Sequence, residues 1–389
     1  MSHRVATLAS IAHNPMDFIM DQATLDLPVQ PADSSIDRTG FQIGWDHAHH
    51  GLVPLPGLLL AGTSVGQGWR AARAVYSHRT LACNRHTRSW LALRIRAWRE
   101  GVDFELHQVT PAYLAQIHVE RCPILRTGLG GACGEPHAAL IDRINPRCGY
   151  AAGNLVVTSQ RAAAAREHMD VQQTLRRAHR AQASGEVLDG LDGAAWLRLA
   201  VLRSFGTPLP FVEAARLPLA VLPPNLVGVV NAAQGLQALL TLQFGTPGWS
   251  ARTRAIAELL PQHTLRQDYN LFIGAIAPRV LEAGAAGSAL RQVLEDAWLG
   301  DRVQRRWQHF VLSLGEAGTG ALLERASEQG LASAPTLKLG QARAAECPAL
   351  TDGRHVQDRP SAAAPGARPV PASSWTGRIQ AARTRELAC

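Results

Sequence analysis

Residues 139–181 read ALIDRINPRCGYAAGNLVVTSQRAAAAREHMDVQQTLRRAHRA, and the reading of this stretch decides the fold. Ala139 to Ile144 is a short apolar run interrupted by Asp142 and Arg143, and Asn145, Pro146, Gly149 and Gly153 are turn formers. Leu155, Val156 and Val157 supply a β-branched second strand, so the spacing predicts an antiparallel hairpin. Thr158 or Ser159 then caps an Ala-rich helix expected to run to about Ala183. Ala164, His168, Val171, Leu175 and Ala178 form its apolar stripe. The order is strand, turn, strand, helix, with a polar pair on the first strand and Asn154 opening the second.

Outward from this stretch, the chain divides by composition. Residues 1–39 mix short apolar runs with Pro28, Pro31 and an Asp-Ser-Ser cluster, and predict little regular structure. Residues 40–184 read as a basic helical domain containing the hairpin unit, at about 118–182. Its parts are a Pro-broken lead-in from Phe41, a helix over HTRSWLALRIRAWRE stopped by Gly101, and a second helix with Thr110 as cap and Pro111 at its first position. On a helical wheel Leu91, Ile95 and Trp98 share one stripe, while Arg85, Arg88, Arg96 and Arg99 share a neighbouring one. Residues 190–338 carry apolar residues at three-and-four spacing between Gly and Pro breaks, which predicts an all-helical domain. From residue 339 to 389 the Ala, Pro, Arg and Ser composition cannot bury enough apolar surface to fold, and predicts a disordered tail.

The 389-residue chain has a net charge of +8, almost wholly from arginine, Lys338 being its one lysine. Between Ala61 and Arg180 stand 17 arginines against 8 acidic residues, so the excess belongs to the hairpin-bearing domain. A local surplus of this kind is the footprint of a phosphate-binding face. A solvated arginine surface is the alternative, since long basic side chains also snorkel from amphipathic helices. The 46% apolar share provides for a sizeable core. No apolar run reaches the ~18 residues of a membrane span, so no membrane partner is expected. The six cysteines include no CxxC pair and the N-terminus lacks a secretory pattern, which predicts free thiols in a reducing cytoplasm.

Cys122-Pro123-Ile124-Leu125, Ile141-Asp142-Arg143-Ile144, Gly149-Tyr150 and Gly153-Asn154-Leu155-Val156-Val157-Thr158-Ser159 together resemble HNH endonucleases of phage and bacterial type. The resemblance covers about 50 residues. It implies a ββα-metal hairpin–helix, which with the helical readings on either side gives a mainly α fold with a small α+β module: the HNH-like unit inside a helical N-terminal domain, followed by an all-α domain.

The resemblance also implies chemistry: phosphodiester hydrolysis with one divalent metal, Mg²⁺ or Mn²⁺, and a histidine that activates water. Asp142 matches the carboxylate that holds the metal from the first strand. Arg143 stands where the base histidine is usual, and arginine stays protonated at neutral pH; relatives with "DRI" share that residue. Asn154 matches the Asn that braces the loop between the strands. The second metal ligand falls at Ala163, and a methyl group cannot ligate. Glu167, one turn on, is the candidate substitute, and the adjacent His168 reads as a core histidine. Arg161 and Arg166 join Arg85, Arg88, Arg96 and Arg99 as candidate phosphate contacts. A structural zinc on Cys122, Cys133, His137 and Cys148 is the lesser reading, because zinc-braced relatives use CxxC pairs. The run Asp46-His47-Ala48-His49-His50 is read as a helix end rather than a metal site.

Three functions remain open. The first is a nucleic-acid-binding protein, DNA in the first place, with a degenerate nuclease module whose cleavage is weak or absent. The second is an active metal-dependent endonuclease with an unusual ligand set. The third is a helical adaptor whose C-terminal domain binds a protein partner.

Overall fold

The computed structural model describes residues 37–331 apart from 61, 133, 167–168 and 283–287, together with 357–358. The N-terminal stretch, most of the Ala/Pro/Arg-rich tail, Cys133, Glu167 and His168 therefore lie outside the described residues. What is described is mainly helical, with short two-stranded antiparallel pairings. None of its helices is long and apolar enough to cross a membrane.

Local sequence explains most helix ends. α1 (Arg38–His49) starts at Asp37, whose carboxylate accepts from the Thr39 amide. α2 (Ser64–Tyr76) is capped by Thr63. The two helices cross on glycine: a Cβ on Gly44 would stand 1.9 Å from the Val65 carbonyl oxygen, and one on Gly68 1.9 Å from that of Phe41. Backbone meets backbone there, so a side chain fits at neither place. In α3 (Arg85–Glu100), Asn84 accepts from the Thr87 amide and Gly101, at φ 66°, closes the C-terminus. β1 (Phe104–Glu105) pairs with residues 357–358. α4 (Pro111–Gln116) then begins with the Thr110 cap and Pro111.

β2 (Ala139–Arg143) and β3 (Leu155–Ser159) pair antiparallel, with Asp142 opposite Val156. α5 (Gln160–Arg166) follows at once and packs back across both strands. The single helix expected as far as Ala183 is two. α5 ends at Arg166, and α6 (Val171–Ser184) restarts from a capping box in which Asp170 and Gln173 satisfy each other's backbone amides. That box offers the orphan N–H groups of a new helix their partners, so the chain turns rather than continuing. Ala164, placed on the expected apolar stripe, is exposed.

The remaining helices are α7 (Gly193–Phe205), α8 (Phe211–Arg216), α9 (Ala232–Gln243), α10 (Trp249–Glu258), α11 (His263–Glu282), α12 (Ser288–Ala297) and α13 (Asp301–Glu328). α9 begins at Ala232, after the buried Val227 and Val229. Before it, Asn231 donates to the Ser204 and Thr207 carbonyls and ties this segment to the end of α7.

α7 is buried almost all round, as an apolar helix must be. Trp196 on this helix, Trp298 and Trp307 are all wholly buried, and each such side chain contributes roughly 1.5–3 kcal/mol. One core runs from Cys122 and Ile144 in the hairpin unit, through α7, to Ala326 on α13. Buried residues on both sides of the exposed turn at 185–189 belong to this one cluster. The physical reason is α7 itself, which needs neighbours on every side. Its buried Arg198 donates to the Ile124 carbonyl at 2.6 Å, and Arg203 donates to that of Met169. Asn145, in the hairpin turn, donates to Gly206 at 2.8 Å.

Candidate functional site

Asp142 lies on β2, facing the helix that follows the hairpin, and only 8% of its surface is exposed. Its carboxylate is occupied by a neighbouring side chain. Arg166, in the last turn of α5, places one guanidinium nitrogen 2.9 Å from Oδ2 and 3.0 Å from Oδ1. The other terminal nitrogen donates to the Arg143 carbonyl at 2.6 Å. Arg96 of α3 stands 3.8 Å from Oδ1 on the far side, and the Arg143 amide donates to the same oxygen at 2.8 Å. The carboxylate thus lies between two guanidiniums, with charge-assisted contacts from the nearer one.

A second cluster adjoins it. Tyr150 donates its hydroxyl proton to Glu100 at 2.8 Å and accepts from Arg96 Nε at 2.8 Å. The Arg143 guanidinium lies 4.7 Å from the Tyr150 ring centre, and Arg96 lies 5.2 Å from it. Burial pushes the Tyr150 phenol up to about 12, against the pull of Arg96. Arg96 is itself held above its ordinary value: burial opposes the charge, but Tyr150, Asp142 and Glu100 outweigh it. Arg143 spans the hairpin loop, donating to the carbonyls of Pro146 at 3.0 Å and Cys148 at 3.2 Å and pairing with Glu100 at 3.3 Å. Asn154, 1% exposed, closes the same loop. It accepts from the Asn145 amide at 2.9 Å and donates to the carbonyls of Asn145 and Gly149, each at 3.0 Å.

The structure thus brings Asp142, Arg143, Asn154, Arg96 and Arg166 together. Two of the arginines assigned to phosphate, Arg96 and Arg166, are turned inward as ion-pair partners of Asp142. The cause is the depth of Asp142: a buried carboxylate requires a counter-charge. Arg85, Arg88, Arg99 and Arg161 are exposed. Glu167, the candidate second ligand, lies outside the described residues. Among the described residues no three His, Cys, Asp or Glu side chains gather as a metal site.

Three members of the four-residue zinc set are described. Cys122 is a buried free thiol whose sulfur accepts from the Ser159 amide at 3.3 Å and lies 3.4 Å from the Ser159 hydroxyl. His137 is exposed, and Cys133 lies outside the described residues. Cys148 is disulfide-bonded, which corrects the expectation of a free thiol there. In the Asp46–His50 run, His47 is a core residue whose Nδ1 lies 2.7 Å from the Ile43 carbonyl, and Asp46 is ion-paired to the buried Arg94.

Sequence reasoning missed Arg166 as the partner of Asp142. The signal was present: from Ala163, the next residues on the same side of a helix are 166 and 167, and the arginine is the nearer turn. It also missed the Glu100–Tyr150 link, which joins elements 50 residues apart and leaves no local pattern. No family model, no curated protein and no solved structure matches this chain.

Proposed function

We propose that this chain is a nucleic-acid-binding protein whose hairpin–helix unit has the HNH layout but has lost the means to cleave. The observation that carries this reading is the Arg166 guanidinium seated on Asp142 and on the Arg143 carbonyl. An arginine supplies the positive charge that a divalent ion would supply, but no open coordination position and no acidified water. The donor set therefore does not fit Mg²⁺ or Mn²⁺, and no hydrolytic step runs through a metal in this reading. Arg143, always charged and engaged with Glu100 and the loop carbonyls, is no general base. Its role in this reading is to hold the loop together with Asn154.

Support for nucleic acid comes from the arginines on the surface. Arg85 and Arg88 are exposed on one side of α3, and Arg161, also exposed, stands in the first turn of α5. Contacts to phosphate release counterions, so affinity for DNA is expected to fall steeply as salt rises. Replacing Arg85 and Arg88 by glutamine flattens that slope.

The test of lost cleavage is plasmid nicking with Mg²⁺, Mn²⁺ or Zn²⁺, wild type against Asp142→Ala. The expected result is no metal-dependent nicking above background in either. Nicking by wild type that Asp142→Ala abolishes overturns the reading, and makes Glu167 the first ligand to test.

A further inference from the structure

A cleft of about 260 Å³ opens between α3 and β2, on the side of the sheet away from the Asp142–Arg166 pair. One wall carries Arg85, His86, Ser89 and, from the segment after α4, His118. Arg96 also lines it, and Leu93, Leu114, Ile141 and Val157 are among its apolar residues. Among the described residues no carboxylate lines the cleft. Arg85 has no carboxylate beside it in that lining, whereas Arg96, which also lines the cleft, is paired with Asp142.

The arrangement of the two histidines is specific. Arg85 Nε donates to His86 Nε2 at 3.1 Å, so the neutral His86 ring carries its proton on Nδ1 and offers it as a donor. The His86 and His118 rings meet edge to face with centres 5.8 Å apart. Burial first, then Arg85 and His118, hold His86 below the ordinary imidazole value. Two imidazoles alone do not complete a zinc site, which takes four ligands or three and a water.

We propose that this cleft binds the phosphorylated end of a nucleic-acid strand, with the terminal phosphate against Arg85, His86 and His118 and the last base against Leu93, Leu114 and Ile141. The inference rests on the nucleic-acid reading above and names which section of the polymer is recognised. A terminal phosphomonoester carries about −1.5 to −2 charge at neutral pH and three acceptor oxygens, more than the single charge of an internal diester. It therefore answers one guanidinium flanked by two imidazole donors better than mid-strand phosphate does. The volume lies below the ~300–1,000 Å³ of drug-sized pockets and accommodates one nucleotide rather than a duplex. The aliphatic side chains offer the terminal base an apolar contact, which is tolerant of base identity.

The experiment is fluorescence anisotropy on one short single strand in three forms, ending in 5′-phosphate, in 3′-phosphate or in hydroxyls only, with relaxed circular plasmid as a competitor. One phosphorylated form is expected to bind on the order of tenfold or more tighter than the hydroxyl form, the worth of one or two charge-assisted hydrogen bonds. His118→Ala and Arg85→Gln, both changes at solvent-facing side chains, should each remove that preference. Equal affinity for all three forms, or a preference that survives both substitutions, overturns the inference while leaving general nucleic-acid binding intact. If no strand and no plasmid binds, the nucleic-acid reading itself has failed. NMR of the His86 and His118 ring protons titrated with a nucleoside monophosphate then decides the cleft alone: selective shifts of both rings uphold a phosphate site, and unmoved rings end it.

Discussion

Asp142 and Trp307 are both buried, and they are held in opposite ways. Around the Asp142 carboxylate the contacts are polar: two guanidiniums, a backbone amide and, one contact further, a phenol bonded to a second carboxylate. Around Trp307 the neighbours are the rings of Phe272, Trp298 and Phe310, with centres 5.3–6.2 Å away, and its indole N–H donates to the Ala215 carbonyl. The Asp142 site is held by partners that must match atom for atom, whereas the surroundings of Trp307 are held by filled volume. In the first, removing one member of a pair costs more than removing both. In the second, cost follows the size of the cavity left behind.

The largest effect expected is at the aromatic centre. Trp307→Ala should lower unfolding free energy by about 3–5 kcal/mol in urea titration. Because one core joins the hairpin unit to α13, loss should appear as a single transition seen equally by tryptophan fluorescence and far-UV circular dichroism. Two separated transitions would break the comparison by splitting the molecule where the core is continuous.

An intermediate effect is expected at the ion pair. Arg166→Ala leaves Asp142 with only the more distant Arg96, and should cost about 1.5–3 kcal/mol. Asp142→Ala alone should cost a similar amount, by stranding Arg166. The double substitution should cost clearly less than the sum, a coupling that a thermodynamic cycle reads directly. Additive single effects would mean that the pair is loose, and would reopen Asp142 to a metal.

The smallest effect is a pH response at α1. Burial lowers the pKa of His47, and its ring is bonded to Ile43. The unfolded chain then binds a proton before the native state does as pH falls. The stability contributed by neutral His47 is complete above its ordinary value of 6.5 and declines as pH falls toward the lowered native value. Thermal midpoints followed from pH 7.5 to 5.5 should drop more for wild type than for His47→Gln. Parallel curves would place the acid sensitivity elsewhere.

Much of the local structure was legible in the sequence. The hairpin strands, the Thr110–Pro111 helix entry and the Gly101 stop depend on residues within a few positions of one another, and each device acts within a turn of chain. The Asp170–Gln173 capping box was equally local, and reading it would have divided the helix after residue 166 correctly. The inward turn of Arg96 was not legible. On the wheel it belongs with Arg85, Arg88 and Arg99, and only the packing of β2 and Tyr150 against that end of α3 buries it.

By itself, then, the sequence determined the order of the elements, the position of the hairpin and the set of charged residues gathered there, because periodicity and capping are short-range properties. Tertiary structure alone decided which charges meet: that Arg166 and Arg96 are turned onto Asp142, that α7 draws both halves into one core, and that the α3 cleft keeps its basic wall without an acid. Helix positions one residue apart differ by about 100° in direction. Which of those directions faces a strand is set by how the helix packs, and packing is a sum over contacts that no single stretch of sequence contains.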